Sequence, residues 1–355
     1  MNLEELTDKV EHGEPVRQQD LSHLSLEGAD LRGALFEGVC FPERMRGVRF
    51  SESNLIDCRL TGAHLEGADL RLATFYRCGL LGASLDEANL IAASFVECDA
   101  SGSSFARISG QMASWVKTTL ESGSLASANL DRATFLEVLC GGTSFAEANL
   151  EKATLYQADL RTADLTGANL SLTTLVEAML GAKDFTRNKL FRTQWMKAEL
   201  AGASFRGAEL VENNFLGADL RGASFERAFA ARCFFGEALL DKACFKGATL
   251  TSSVFEKASL READLSDSNL EEAYLAAIVA AGARFSGARL REANLAHADL
   301  RGADFERAQM FRTRLHKAVL DGTILSATQG FLGDDEEQKT AEEWQPPPGA
   351  SRAQS

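Results

Sequence analysis

Residues 158–170 read ADLRTADLTGANL, one short phrase said three times: Ala-Asp-Leu, Ala-Asp-Leu, Ala-Asn-Leu, with two residues after each of the first two. Leu160, Leu165 and Leu170 therefore stand five apart. The spacing holds far to either side. From Phe50 to Leu325 there are 56 such centres, and 51 are Leu, Phe, Met or Trp; the exceptions are Ala100, Gly110, Cys140, Ala230 and Ala280. Two residues before each centre stands a small residue, Ala in 34 of the 56, and the residue between is usually Asp, Asn, Ser or Thr.

A period of five excludes the common elements, since an amphipathic helix repeats at 3.6 residues and a half-buried strand at 2. It fits a chain that turns a corner after each short extended segment. The small and the large residue point inward, and the other three face solvent. A unit of this size cannot bury its own apolar pair and needs a neighbour stacked above and below. Of the 15 phenylalanine centres, 14 carry numbers ending in five, so Phe-rich sides alternate with Leu-rich ones. An even number of sides follows, and four is the smallest that closes, giving twenty residues per coil. Cys58, Cys78 and Cys98 agree, recurring every 20 residues at the small inward position.

The tandem pattern, as in Ala168-Asn169-Leu170 and Ala218-Asp219-Leu220, resembles the pentapeptide-repeat family. The resemblance covers roughly residues 16–325. It implies an all-β fold, a right-handed quadrilateral β-helix. Adding an earlier block in another phase (Leu21, Leu26, Leu31, Phe36, Phe41) gives about 15 coils, a rod about 70–75 Å long at the usual strand spacing.

Five segments follow: a helical cap over 1–15, a first repeat block over 16–41, a phase break over 42–49, the main array over 50–327, and a C-terminal cap with an acidic, proline-rich tail over 328–355. Asn2 and Glu5 have the spacing of a helix capping box, and Leu3, Leu6 and Val10 share one helical face. Phe41 to Phe50 is one residue short of two repeats, which predicts a bulge or kink. The Ser- and Gly-rich stretch 99–124 keeps the phase, and a protruding loop of five or ten residues would keep it too. Phe331 and Leu332 are placed to cover the last coil. The tail from Asp334 has the composition of a segment without regular structure, and its Trp344 is a candidate docking residue.

Composition argues about function by exclusion. The net charge is −14, but residues 1–20 and 334–355 carry −4 each, leaving −6 for the body. No basic patch points to direct nucleic-acid binding, and no apolar run reaches the roughly 18 residues of a membrane helix. Seven cysteines, an odd set without a CxxC pair, read as free thiols in a reducing compartment, the bacterial cytoplasm. The five histidines lack metal-ligand spacing, and no motif for a catalytic group or a cofactor is present. Arg221, Asp241 and Arg261 recur every 20 residues as a charge-paired column.

One departure from the repeat carries a binding hypothesis. The residue before each centre should be polar and outward. Phe234, Val254 and Tyr274 occupy that position at intervals of 20, and Phe229, Leu239 and Val279 break the same rule on adjoining sides. Either they form a partner-binding patch, or they turn inward beside the small centres Ala230 and Ala280.

The family resemblance implies two classes of partner. Some pentapeptide-repeat proteins accompany bacterial secretion and toxin-delivery systems as accessory scaffolds. Another branch mimics DNA, binds DNA gyrase and topoisomerase IV, and protects them from poisons. The mild charge of the body and the lack of an apolar C-terminal segment turn the expectation toward a scaffold for protein partners, with no cofactor.

Overall fold

The computed structural model describes residues 1–328 and 330–343. Its backbone turns a corner every five residues because the second residue after nearly every centre has a positive φ. Glycine suits that region, as at Gly62 (φ 67°), but Leu72 adopts it too, at φ 59°. Successive coils stack in parallel with main-chain bonds to the residue about twenty positions on. Arg59 N–H donates to Val39 O at 2.9 Å, and Leu60 N–H donates to Gly79 O at 2.7 Å. Parallel bridges at 20-residue spacing run from Arg44↔His64 to Asp304↔Ile324. The ladder satisfies the backbone of each corner, which no single pentapeptide could do.

The coil has four faces. Face I carries the centres Leu55, Phe75 and Phe95, face II Leu60 and Leu80, face III Leu65, Leu85 and Phe105, and face IV Phe50, Leu70 and Leu90. All of these side chains are buried. Only face I forms regular strands: β1 (Val16–Arg17), β2 (Leu35–Glu37), β3 (Asn54–Ile56), β4 (Thr74–Tyr76), β5 (Ser94–Val96), β6 (Ser114–Val116), β7 (Thr134–Leu136) and β8 (Thr154–Tyr156). They pair in chain order in one eight-stranded parallel sheet.

Regular strands thus close about seven turns, not the fifteen coils expected; past Tyr156 single-residue bridges carry the ladder. The corner after face I explains the change. After β3 to β7 the inward small position holds Cys58, Cys78, Cys98, Thr118 or Val138, and none of these donates its N–H to the centre three residues back. The corner behind β8, at Ala158, lacks this bond as well, and in all of these coils the residue after the centre stays extended. From Ala198 on, most corners after face I close: Ala198 N–H donates to Trp195 O and Ala218 N–H to Phe215 O, both at 3.0 Å.

Aromatic centres on faces I and III line the core. On face I, Phe75 stacks on Phe95 at 4.7 Å and Trp115 on Phe135 at 4.8 Å. On face III, Phe225 stacks on Phe245 at 4.7 Å. Rings of the two columns meet edge to face across the interior, as Phe235 does with Phe245 at 5.7 Å. The stretch 99–124 stays in the coil, bridged as Asp99↔Thr119 and Ser104↔Ser124. A Cβ at Gly110 would lie 3.1 Å from both Ile108 Cδ1 and Leu130 Cδ2, so neighbouring side chains occupy the space a larger centre would take. Over 42–49 the coil also continues, with Met45 and Val48 buried as centre and small residue. The missing residue lies between Phe41 and Met45, and coils there step by 19, as in Cys40↔Arg59.

Each end has its own cover. At the first coil, α1 (Leu3–Glu11) is capped by Asn2, whose side chain accepts from Glu5 N–H while the Glu5 carboxylate accepts from Asn2 N–H. Leu6 is fully buried and Val10 partly so, but Leu3, expected on the same face, is exposed. At the other end the backbone of Leu332 lies on the last coil, with Leu315 N–H donating to Leu332 O at 2.8 Å, while the Phe331 and Leu332 side chains remain exposed. The acidic segment after them, expected to lack regular structure, forms α2 (Glu336–Glu343). Asp335 Oδ1 caps it, accepting from Glu337 N–H and Gln338 N–H at 3.0 Å each. Glu336 and Glu337 in its first turn suit the positive end of the helix dipole. Trp344 and the rest of the tail lie outside the described residues.

Candidate functional site

The six residues that break the outward-polar rule sit on three adjoining faces. Phe234, Val254 and Tyr274 form one column on face I, bridged in register as Phe234↔Val254 and Val254↔Tyr274. Phe229 lies around one corner on face IV, and Leu239 and Val279 lie around the other on face II. None turns into the core. Phe229 is 54% exposed, Leu239 42% and Tyr274 40%; Phe234, Val254 and Val279 are half-buried among their column neighbours. The space beside Ala230 goes instead to packed rings, since Phe225 and Phe235 meet there at 5.6 Å. Phe234 lies across Gly236, where a Cβ would come within 2.7 Å of its ring, so glycine lets the ring lie close to the backbone.

The other sequence candidates resolve into packing and surface pairing. Cys58, Cys78 and Cys98 are buried. The Cys78 and Cys98 thiols each donate to a carbonyl of the preceding coil, Leu55 O and Phe75 O, at 3.3 Å. The flanking Cys58 and Cys98 thiols, then burial, push the Cys78 thiol far up. Burial pushes Cys140 and Cys233 up to about 12 each. Protonated thiols of this kind are poor nucleophiles. Arg221 pairs with Asp219 of its own coil at 2.5 Å, and Arg261 with Asp241 at 3.7 Å. Among the described residues no group of His, Cys, Asp and Glu is arranged to hold a metal ion, and no helix is long and apolar enough to cross a membrane.

Two features were missed in the sequence. First, the small inward position holds polar side chains in a few coils. Asn213 Oδ1 accepts from the buried Trp195 Nε1–H at 2.8 Å, and its amide donates to Leu190 O at 2.5 Å. Lys183 reaches inward to donate to Arg161 O and Ala163 O, and burial lowers its pKa. Both break the alanine rule two residues before a centre, which was the signal available.

Second, face I is uncharged outside as well as apolar inside. The residue after each centre, from Ile56 to Leu216 in steps of 20, is Ile, Tyr, Val, Val, Leu, Tyr, Val, Met and Leu in turn, all half-buried. The residue before each centre, from Asn54 to Asn214, is Asn, Thr, Ser or Gln. Reading the residue after the centre at 20-residue steps would have found the stripe. Its edge toward face II alternates in sign: Asp57, Arg77, Glu97, Lys117 and Glu137. These charges pair along the column, Arg77 with Asp57 at 2.7 Å and Lys117 with Glu137 at 4.0 Å. The Arg77 guanidinium also lies over the Tyr76 ring at 4.7 Å.

Comparison with known proteins follows the same lines. The family model for pentapeptide repeats matches residues 44–80, 53–90, 143–180, 197–227, 218–256, 258–295 and 288–326, together more than half of the chain. No protein of curated function matches in sequence. Among solved structures, a trypsin-treated form of QnrB1, a plasmid-mediated fluoroquinolone resistance protein, is 21% identical, covering 57% of this chain and 87% of its own with a TM-score of 0.37. HetL, a pentapeptide repeat protein involved in heterocyst differentiation regulation in the cyanobacterium Nostoc, is 25% identical over 84% of this chain and 97% of its own, with a TM-score of 0.16. A pentapeptide repeat protein of the Arabidopsis thaliana thylakoid lumen is 31% identical over 36% of this chain and 76% of its own, with a TM-score of 0.17. The five-residue period, the four-faced parallel coil and the family match agree: the chain belongs to the pentapeptide-repeat family.

Proposed function

We propose that this protein is a non-enzymatic scaffold of the bacterial cytoplasm that holds a protein partner against the patch formed by Phe229, Phe234, Leu239, Val254, Tyr274 and Val279. The observation that carries the reading is the outward placement of these six side chains on adjoining faces of the parallel ladder. Apolar surface held rigidly by a parallel backbone costs little ordering entropy when a partner docks, so it can be used for affinity. A partner belonging to a secretion or toxin-delivery system is the finer form of the proposal.

The test is capture from the source cell's lysate by immobilised full-length protein, beside the double variant Phe234→Asp/Tyr274→Asp. Both positions face outward, so the variant folds and remains soluble. The proposal expects a specific protein retained by the natural chain and lost by the variant. Equal retention by both chains overturns the patch, and specific enrichment of DNA gyrase or topoisomerase IV would replace the scaffold reading with topoisomerase binding.

A further inference from the structure

The uncharged outer side of face I is self-complementary, and the geometry points to an antiparallel homodimer formed by two copies of it packed face to face. Take a two-fold axis across the rod, between the coil of Trp115 and the coil of Phe135. It sets Val116 against Leu136 of the second copy, Val96 against Tyr156, Tyr76 against Val176, and Ile56 against Met196. Each tyrosine meets a valine, so bulk faces a smaller side chain. Residues before the centres match as uncharged pairs, Thr74 with Thr174 and Ser114 with Thr134.

The same axis reads the charges on both edges. Toward face II, Asp57 faces Lys197, Arg77 faces Glu177, and Lys117 faces Glu137. Toward face IV, Glu52 faces Arg192, and Leu72 faces Leu172. These two leucines occupy left-handed corners at φ 59° each, and Leu72 is 57% exposed. A groove of about 510 Å³ beside Leu72, Ile91 and Met112 offers room for side chains of the second copy. Register is specified: moving the axis by half a coil sets Arg77 against Lys197 and Glu97 against Glu177. Parallel packing fails at both ends, bringing Asp57 to Glu52 and Lys197 to Arg192.

The overlap suffices for a dimer. Eight coils at about 4.8 Å and a width of about 13–15 Å give roughly 500–600 Å² per copy, or about 1,000–1,200 Å² in total, the lower range of specific interfaces. Isologous contact of this kind closes at two copies. The matched pairs end at the coil of Trp195; beyond it the axis sets the coil of Phe215 against that of Phe36 and the coil of Phe235 against that of Val16, so Val254 and Tyr274 lie past the strands of the second copy.

Sedimentation equilibrium of the full chain tests the inference. The natural protein is expected at twice the chain mass, and Val116→Lys/Leu136→Lys at the chain mass, with equal unfolding midpoints for the two at a concentration where both are dissociated. Register is tested by charge reversal. Arg77→Glu alone and Glu177→Arg alone should each weaken association about tenfold or more, and the double reversal should restore it. A natural chain that stays monomeric at high micromolar concentration overturns the proposal. So does a dimer indifferent to the two lysines, or a double reversal no better than the singles.

Discussion

Faces I and III are alike inside and unlike outside. Inward, both carry columns of stacked rings. Phe235 stacks on Phe215 at 5.0 Å and on Phe255 at 4.7 Å, while Phe225 stacks on Phe205 at 4.9 Å and on Phe245 at 4.7 Å. Outward, face I between Asn54 and Leu216 shows Thr, Ser, Asn, Gln, tyrosine and aliphatic or Met side chains without a charge. Face III over the same coils shows His64, Glu66, Asp86, Asp164, Asp184 and Arg206 among Ser, Thr and Ala. The closed coil demands two matching inner columns but leaves the outer residues free to differ. A nine-coil run of larger, mostly aliphatic residues on one outer face, against three alanines on the opposite face, is therefore not something the folding of the coil requires.

The inner half of the comparison breaks first if it is wrong. Phe225→Ala on face III and Phe235→Ala on face I should cost about the same, about 3–5 kcal/mol each, since each removes a fully buried ring with two stacked and two edge-on neighbours. Denaturant unfolding followed by near-ultraviolet circular dichroism reads both. Costs that differ by more than about 2 kcal/mol would show that the two faces are not equivalent supports.

A smaller effect belongs to the polar exceptions. Asn213→Ala leaves the Trp195 indole N–H buried without its acceptor and should destabilise by about 1–3 kcal/mol. Ser253→Ala, a buried residue at the same position two coils on, removes the hydroxyl's bond to Ala230 O and the longer one it accepts from Cys233 N–H, and should cost about 1 kcal/mol. If the two midpoints shift equally, the indole bond is not the reason Asn213 stands at a position that alanine usually fills.

The coil was legible because its signal repeats. A period of five, a small residue two before each centre, and phenylalanines restricted to alternate sides together allow only stacked corners and an even number of faces. The strand count was not legible, because it depends on whether a corner opens. The small inward residue does not decide that by itself, since Ala158 stands behind a strand and Ala198 behind a closed corner. Of the candidate site, Phe234, Val254 and Tyr274 could be aligned from spacing alone. The spread of Phe229, Leu239 and Val279 around two corners became definite only with the coil in three dimensions. The stripe from Ile56 to Leu216 was present in the sequence. It stayed hidden because valine and isoleucine between a centre and a corner look ordinary one repeat at a time, and mean something only in columns of twenty.

Leu72 sharpens the comparison with the smallest change. It takes a corner position where Gly62 and Gly67 stand in the same coil, and holds φ 59° with most of its side chain in water. Left-handed backbone costs a non-glycine residue about 1 kcal/mol or more, and an exposed leucine regains none of it by burial. Leu72→Gly should therefore stabilise the monomer by up to about 1 kcal/mol, after allowing for the greater freedom of glycine in the unfolded chain. The same substitution removes the leucine that faces Leu172 across the two-fold axis, so self-association should weaken while the unfolding midpoint of the dissociated chain rises. A residue selected for the coil alone would not move the two quantities in opposite directions. If thermal unfolding at low concentration and sedimentation at high concentration shift together, Leu72 belongs to the fold and not to the contact face.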